Sequence, residues 1–148
     1  MTVEETIELV KKLDWNLSLE VQKAAFDELM KGELDNVSVI IQPYMKPTWE
    51  NAVKLIDELG YPKNKEALPQ LIWLLSDINW PGALKAIDIL KTIDKNVLEP
   101  LIIDAIDKAY KEQDTMWIAG INRLIIESGL QELFADESIC SKLAIADF

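Results

Sequence analysis

The chain reads as an all-α protein, an α-α superhelix of stacked antiparallel helix pairs forming one domain over residues 1–148. Three observations predict this. Glycine and proline are scarce, at five and six, while 49% of residues are apolar, and no long valine, isoleucine and threonine alternation appears. That composition favours packed helices over sheets. Apolar positions recur at helical spacing. Finally, residues 49–76 shifted by 31 positions fall on residues 80–107 with seven identical pairs: Trp49/Trp80, Ala52/Ala83, Lys54/Lys85, Ile56/Ile87, Asp57/Asp88, Leu59/Leu90 and Pro69/Pro100. Val53/Leu84 and Leu71/Ile102 add apolar matches. A duplicated amphipathic hairpin leaves this echo, because each copy buries its stripe against a neighbour.

The elements follow in order. Thr2 and Glu5 stand three apart ahead of Ile7, Leu9, Val10 and Leu13, the pattern of a capping box opening a helix. Ser18 is expected to cap a second helix with Val21, Ala24, Ala25 and Leu29 in its stripe, closed by Gly32. Residues 37–45 read as a short helix disturbed by Pro43. The first repeat copy opens at Thr48, whose hydroxyl is expected to accept from a free backbone N–H. Its first helix, 49–59, turns Ala52, Val53, Ile56 and Leu59 inward and stops at a left-handed Gly60, with Pro62 just beyond. Its second begins near Asn64 and carries Pro69 early, where amides lack intrahelical acceptors. Leu68, Leu71, Ile72, Leu74 and Leu75 then make a broad buried face.

In the second copy, Asn79-Trp80-Pro81 is expected to open the first helix, with Asn79 or Asp77 as cap and Ala83, Leu84, Ile87 and Leu90 toward the core. Val97, Leu101, Ile102, Ala105, Ile106 and Ala109 line its longer partner helix. A third copy starts at Trp117 and keeps Gly120, Ile121 and Leu124; six extra residues lengthen the preceding helix or its loop around 110–115. Residues 130–134 and 138–146 supply two short helices over the last open face, since a solenoid end has no neighbour to cover it.

Helix pairs of this length with proline early in the second helix resemble HEAT repeats. More narrowly, Leu71-Ile72-Trp73-Leu74-Leu75-Ser76-Asp77-Ile78-Asn79-Trp80-Pro81 resembles the signature of a small bacterial HEAT-like family classed as a domain of unknown function. Glu112-Gln113-Asp114-Thr115-Met116-Trp117-Ile118 resembles the acidic segment and tryptophan that follow in it. The likeness covers residues 49–127, and the Asp-x-Asn-Trp-Pro centre is its distinctive part. It implies the fold and no activity, cofactor or catalytic residue. HEAT-like proteins commonly bind other macromolecules, and some small acidic bacterial ones resemble immunity proteins, a likeness of fold alone.

Composition excludes several functions. The formal charge is −11, and fourteen lysines accompany a single arginine, Arg123. Such a surface repels nucleic acid and lacks the guanidinium forks that suit phosphate. Two readings of the acidity stay open: solubility, or complementarity to a basic protein partner. No apolar run approaches the roughly 18–20 residues that cross a bilayer, so no membrane partner is expected. An acidic start, Met1 to Glu5, is unlike a signal peptide, and one cysteine forms no internal disulfide, which suits the cytoplasm.

The absence of histidine removes the usual neutral-pH base and commonest metal ligand, and with them a Ser–His–Asp triad and a zinc site. The glycines form no phosphate-cradling loop. No catalytic set, metal or cofactor is therefore expected.

Tryptophan and carboxylate remain. Trp49, Trp80 and Trp117 recur where first helices begin, either as staples between repeats or as a row of binding anchors. Trp15 and Trp73 lie outside the series; Trp73 is an anchor if the face opposite Leu71 and Leu75 meets solvent. Asp57 and Asp88 occupy equivalent positions, forming an acidic ridge or two solvated helix faces. Asp104 and Asp107 share a helix face, an acid/base pair or again a solvated surface. Cys140 reads as a small buried hydrophobe.

The expected function is a non-enzymatic protein-binding module, immunity-type in its most concrete form, that neutralises a basic partner. The alternatives are a small acid/base enzyme using paired carboxylates and a structural, self-associating domain.

Overall fold

Several helices begin where a side chain supplies an acceptor for a backbone amide. In the computed structural model, which describes residues 1–147, Thr2 Oγ1 accepts from Glu5 N at 3.1 Å and Glu5 Oε2 accepts from Thr2 N at 3.0 Å, opening α1 (Val3–Lys11). Ser18 Oγ accepts from Val21 N at 3.2 Å and opens α2 (Leu19–Lys31). The remaining helices are α3 (Trp49–Leu59), α4 (Leu68–Trp73), α5 (Ala83–Leu90), α6 (Lys95–Lys111), α7 (Thr115–Glu127) and α8 (Glu137–Leu143). Short 3-10 turns lie between several of them, and no strand occurs among the described residues. The protein is all-α.

The chain divides into two compact units, Met1–Gln70 and Leu71–Phe148. The division falls inside α4, so the first repeat copy is split between them.

In the first unit α2 packs on α1 and on α3. Val10, Leu13, Ala25, Leu29, Val53, Leu55 and Ile56 are buried. The stripe of α2 is rotated from the expected one. Val21 and Ala24 face solvent, while Ala25 and Leu29 turn inward. The reason is polar: Asn51 on α3 donates to Gln22 Oε1 at 2.9 Å and to Leu13 O at 2.7 Å, drawing Gln22 toward α3. Residues 37–45 form only a single 3-10 turn, Val37–Val39, before the chain bends toward Pro43.

Helix α3 has the expected bounds, but Thr48 does not cap it. Pro47 starts a 3-10 turn at Lys46–Thr48, which puts Thr48 into helical φ/ψ already. Its hydroxyl therefore points backward and donates to Met45 O at 2.7 Å. Gly60 ends the helix at φ 70°, ψ 159°, a region essentially reserved for glycine. Asn64 is buried and donates to Ile56 O at 2.9 Å, tying the next turn to α3.

In the second unit α7 packs on α6, on α8 and on the 3-10 turn Leu74–Ser76, which also meets α5. Asp94 and Asp114 cap α6 and α7 through their carboxylates, Asp114 Oδ1 accepting from Trp117 N at 3.0 Å. Helix α6 runs on to Lys111 and so absorbs the extra residues between the second and third copies. Pro100 lies six residues into α6, past the first turn, and leaves one helical acceptor unmatched. Helix α5 differs most from expectation. It begins at Ala83, three residues after Trp80, because Gly82 adopts the left-handed conformation at φ 84°. With that start, Ala83, Ala86, Ile87 and Leu90 are buried and Leu84 is 54% exposed rather than part of the core.

Candidate functional site

The tryptophans sort into two kinds. Trp49 opens α3, is buried, and donates its indole Nε1–H to Gln42 O at 2.8 Å. Trp117 lies in the first turn of α7, is buried, and donates to Ile72 O at 3.0 Å. In both, the ring is withdrawn from solvent and its polar atom satisfied by backbone, the arrangement of a packing staple. Trp80 and Trp73 are instead half-buried, and their rings pair with centroids 5.2 Å apart at 44°. Trp73 thus reaches solvent in part, beside Trp80. Trp15 is exposed.

Asp57 on α3 and Asp88 on α5 are both exposed and belong to different units. Asp104 and Asp107 are exposed on α6, and Asp107 pairs with Lys142 of α8 at 2.7 Å. Both carboxylates of this pair thus lie in solvent, and one of them is engaged by a lysine. Cys140 is exposed rather than buried, because α8 is short and buries no side chain; its thiol lies 3.5 Å from Phe134 O. Among the described residues, no group of three or more acidic or sulfur side chains is disposed to hold a metal ion.

A concave feature of the second unit was not expected from individual residues. A cleft of about 460 Å³ opens in the second unit between residues 75–79, one face of α7, and Asp147. Met116, Ala119, Arg123 and Ile126 stand three or four apart along α7 and therefore project to one side, while Trp117, Ile118, Ile121, Leu124 and Ile125 turn to the core. Gly120 makes the close approach that forms the floor: a Cβ added there would overlap the Leu75 carbonyl oxygen and lie 2.9 Å from Leu75 Cβ. Asp77, Ile78 and Asn79 form the facing wall in a tight turn, with Asp77 Oδ1 accepting from Asn79 N at 2.8 Å. Asp147 N donates to Thr115 O at 3.1 Å, which holds Asp147 beside α7.

The lining is largely apolar and includes the acidic residues Asp77 and Asp147. Arg123 is the one basic side chain among the described lining residues, and its Nε–H donates to Glu127 Oε2 at 2.6 Å. Lys91 approaches the same carboxylate at 3.8 Å. The positive charge near the cleft is thus largely countered from within the chain. Two features of the sequence lie at this cleft, although neither was read as a site: the Asp-x-Asn segment in the stretch 71–81, and the small residue three after Trp117.

Comparison of the chain with protein-family models, curated proteins and solved structures gives no match.

Proposed function

We propose that the chain is a non-catalytic protein-binding module of HEAT-like helix pairs, which receives an apolar side chain of a basic partner in the cleft of its second unit. The observation that carries the reading is a largely apolar recess whose described lining includes Asp77 and Asp147, with Arg123 held by Glu127, in a chain of formal charge −11. A volume of about 460 Å³ suits one or two large side chains. Apolar anchoring inside a charged rim is how compact interfaces concentrate affinity, and the acidic remainder steers a cationic partner toward it. The HEAT-like assignment draws support from matched helix ends, Leu59 and Leu90, and from prolines placed early in α4 and within α6. Neutralisation of a basic protein, as an immunity-type factor acting in the cytoplasm, is the concrete form of this role.

The test uses two amphipathic peptides of equal length, one of lysine and leucine and one of glutamate and leucine, titrated calorimetrically. The cationic peptide is expected to bind at least about tenfold more tightly, and to weaken as salt rises from about 50 to 300 mM. Ile126→Lys, at a half-exposed cleft position, is expected to weaken it about tenfold. Equal binding of the two peptides, or indifference to Ile126→Lys, would overturn the reading.

A further inference from the structure

We infer that the turn between α1 and α2, in the first unit and separate from the cleft, is a contact between two copies of this chain. Within seven consecutive positions Trp15, Leu17, Leu19 and Val21 are 47%, 43%, 81% and 40% exposed. Trp15 N donates to Pro47 O at 3.1 Å, which brings alongside the turn carrying the fully exposed Tyr44. Scattered apolar side chains on a surface are ordinary, but a cluster of this size on one short segment marks a surface that is covered in use.

The turn is held in place. Asn51 donates to Leu13 O at 2.7 Å, Gln22 Nε2 donates to Leu17 O at 2.8 Å, and Asp14 Oδ1 accepts from Asn16 N at 2.7 Å. Three side chains spend their polar groups fixing a segment that presents apolar atoms to water. A contact surface ordered in advance loses little conformational entropy when it is covered.

Charge selects the occupant. Residues 8–23 hold three lysines and three acids, and residues 44–50 one of each, so the whole formal charge of −11 lies elsewhere on the chain. A cationic partner is drawn to that acidic remainder and away from this patch. A second copy, itself acidic, is repelled over most of its surface and meets no net repulsion here. A two-fold contact places the same patch on both sides and so requires mixed charge around an apolar centre, which these segments supply.

The measurement is sedimentation equilibrium of the full chain from about 5 to 500 μM. The expected result is a concentration-dependent mass approaching twice 16.8 kDa, with a dissociation constant on the order of 10–100 μM, as suits a small interface. The double variant Leu17→Glu, Leu19→Glu is expected to raise that constant at least about tenfold with an unchanged helical circular dichroism spectrum, whereas Ile126→Lys in the cleft leaves it unchanged. A wild-type chain monomeric throughout, or a dimer indifferent to the double variant, overturns the inference. So does a monomer that floats with phosphatidylcholine–phosphatidylglycerol vesicles through Leu17 and Leu19, which would assign the patch to a lipid surface.

Discussion

Trp117 and Trp80 hold the same position in the sequence echo and differ in nearly everything else. Trp117 enters α7 in its first turn, capped by Asp114, and buries its ring with the indole N–H given to Ile72 O. Trp80 precedes α5 by three residues, stays half-buried, and pairs with Trp73. Trp49, at the start of α3, behaves like Trp117. What separates Trp80 from the other two is its following residues. Thr115 to Ile118 continue a helix already capped, whereas Pro81-Gly82 turns through φ 84° before a helix starts. A repeated indole therefore marks where the chain approaches a helix, and the local turn decides whether the ring is drawn inside.

The largest expected effect tests that separation directly. Trp117→Ala removes a buried ring and leaves the Ile72 carbonyl without its donor, so a loss of about 3–5 kcal/mol is expected in urea unfolding followed by circular dichroism. Trp80→Ala is expected to cost about 1–2 kcal/mol, most of it through Trp73. A double-mutant cycle with Trp73→Ala should return a coupling of about 0.5–1.5 kcal/mol. If the two tryptophans proved equally costly, the distinction between staple and surface pair would fail.

Gly120→Ala is the next largest. The added Cβ meets the Leu75 carbonyl oxygen, a backbone atom that cannot swing aside, and a loss of about 2–3 kcal/mol is expected. Because the same approach shapes the cleft floor, peptide binding should fall even below the unfolding midpoint. Gly82→Ala sharpens the comparison at smaller scale, at about 1–2 kcal/mol for a left-handed residue. Ala is disfavoured there only if the turn is retained; a stability gain would show that the helix can extend back toward Trp80.

Much of this architecture was legible in the residues. The Thr2–Glu5 box, Ser18 and Gly60 each carry a local signal strong enough to place a helix end, and each does so, whereas Thr48 stands at the start of α3 without capping it. The misreadings arose where a distant partner or a competing local signal prevailed. Nothing beside Gln22 announces that Asn51, 29 residues on, will rotate α2 by holding its amide. Pro81-Gly82 is a turn signal, and it delays α5 to Ala83 where the 31-residue echo predicts a helix opening at Asn79-Trp80-Pro81. Cys140 read as a small buried hydrophobe because no basic residue beside it suggested a reactive thiol, yet the seven-residue α8, although it packs on α6 and α7, buries no side chain. The cleft was only half legible. Its α7 face follows from helical spacing, but its opposing wall and Asp147 meet it through tertiary packing alone.

The smallest predicted effect is also the one that most cleanly opposes pattern to structure. Val53 and Leu84 are matched positions of the echo, both apolar, and the larger of the two would be expected to matter more. In the fold Val53 is fully buried and Leu84 is 54% exposed, although the equivalent pairs Ala52/Ala83, Leu55/Ala86 and Ile56/Ile87 are buried in both copies. Val53→Ala should therefore cost about 1.5–3 kcal/mol through lost burial and a residual void. Leu84→Ala removes more atoms yet should change stability by less than about 0.5 kcal/mol, since leucine and alanine differ little in helix propensity and the side chain is half in water already. Urea midpoints for the two variants measure the contrast. Equal costs would mean that Leu84 packs inward in solution and that the second copy is closer to the first than its turn at Gly82 allows.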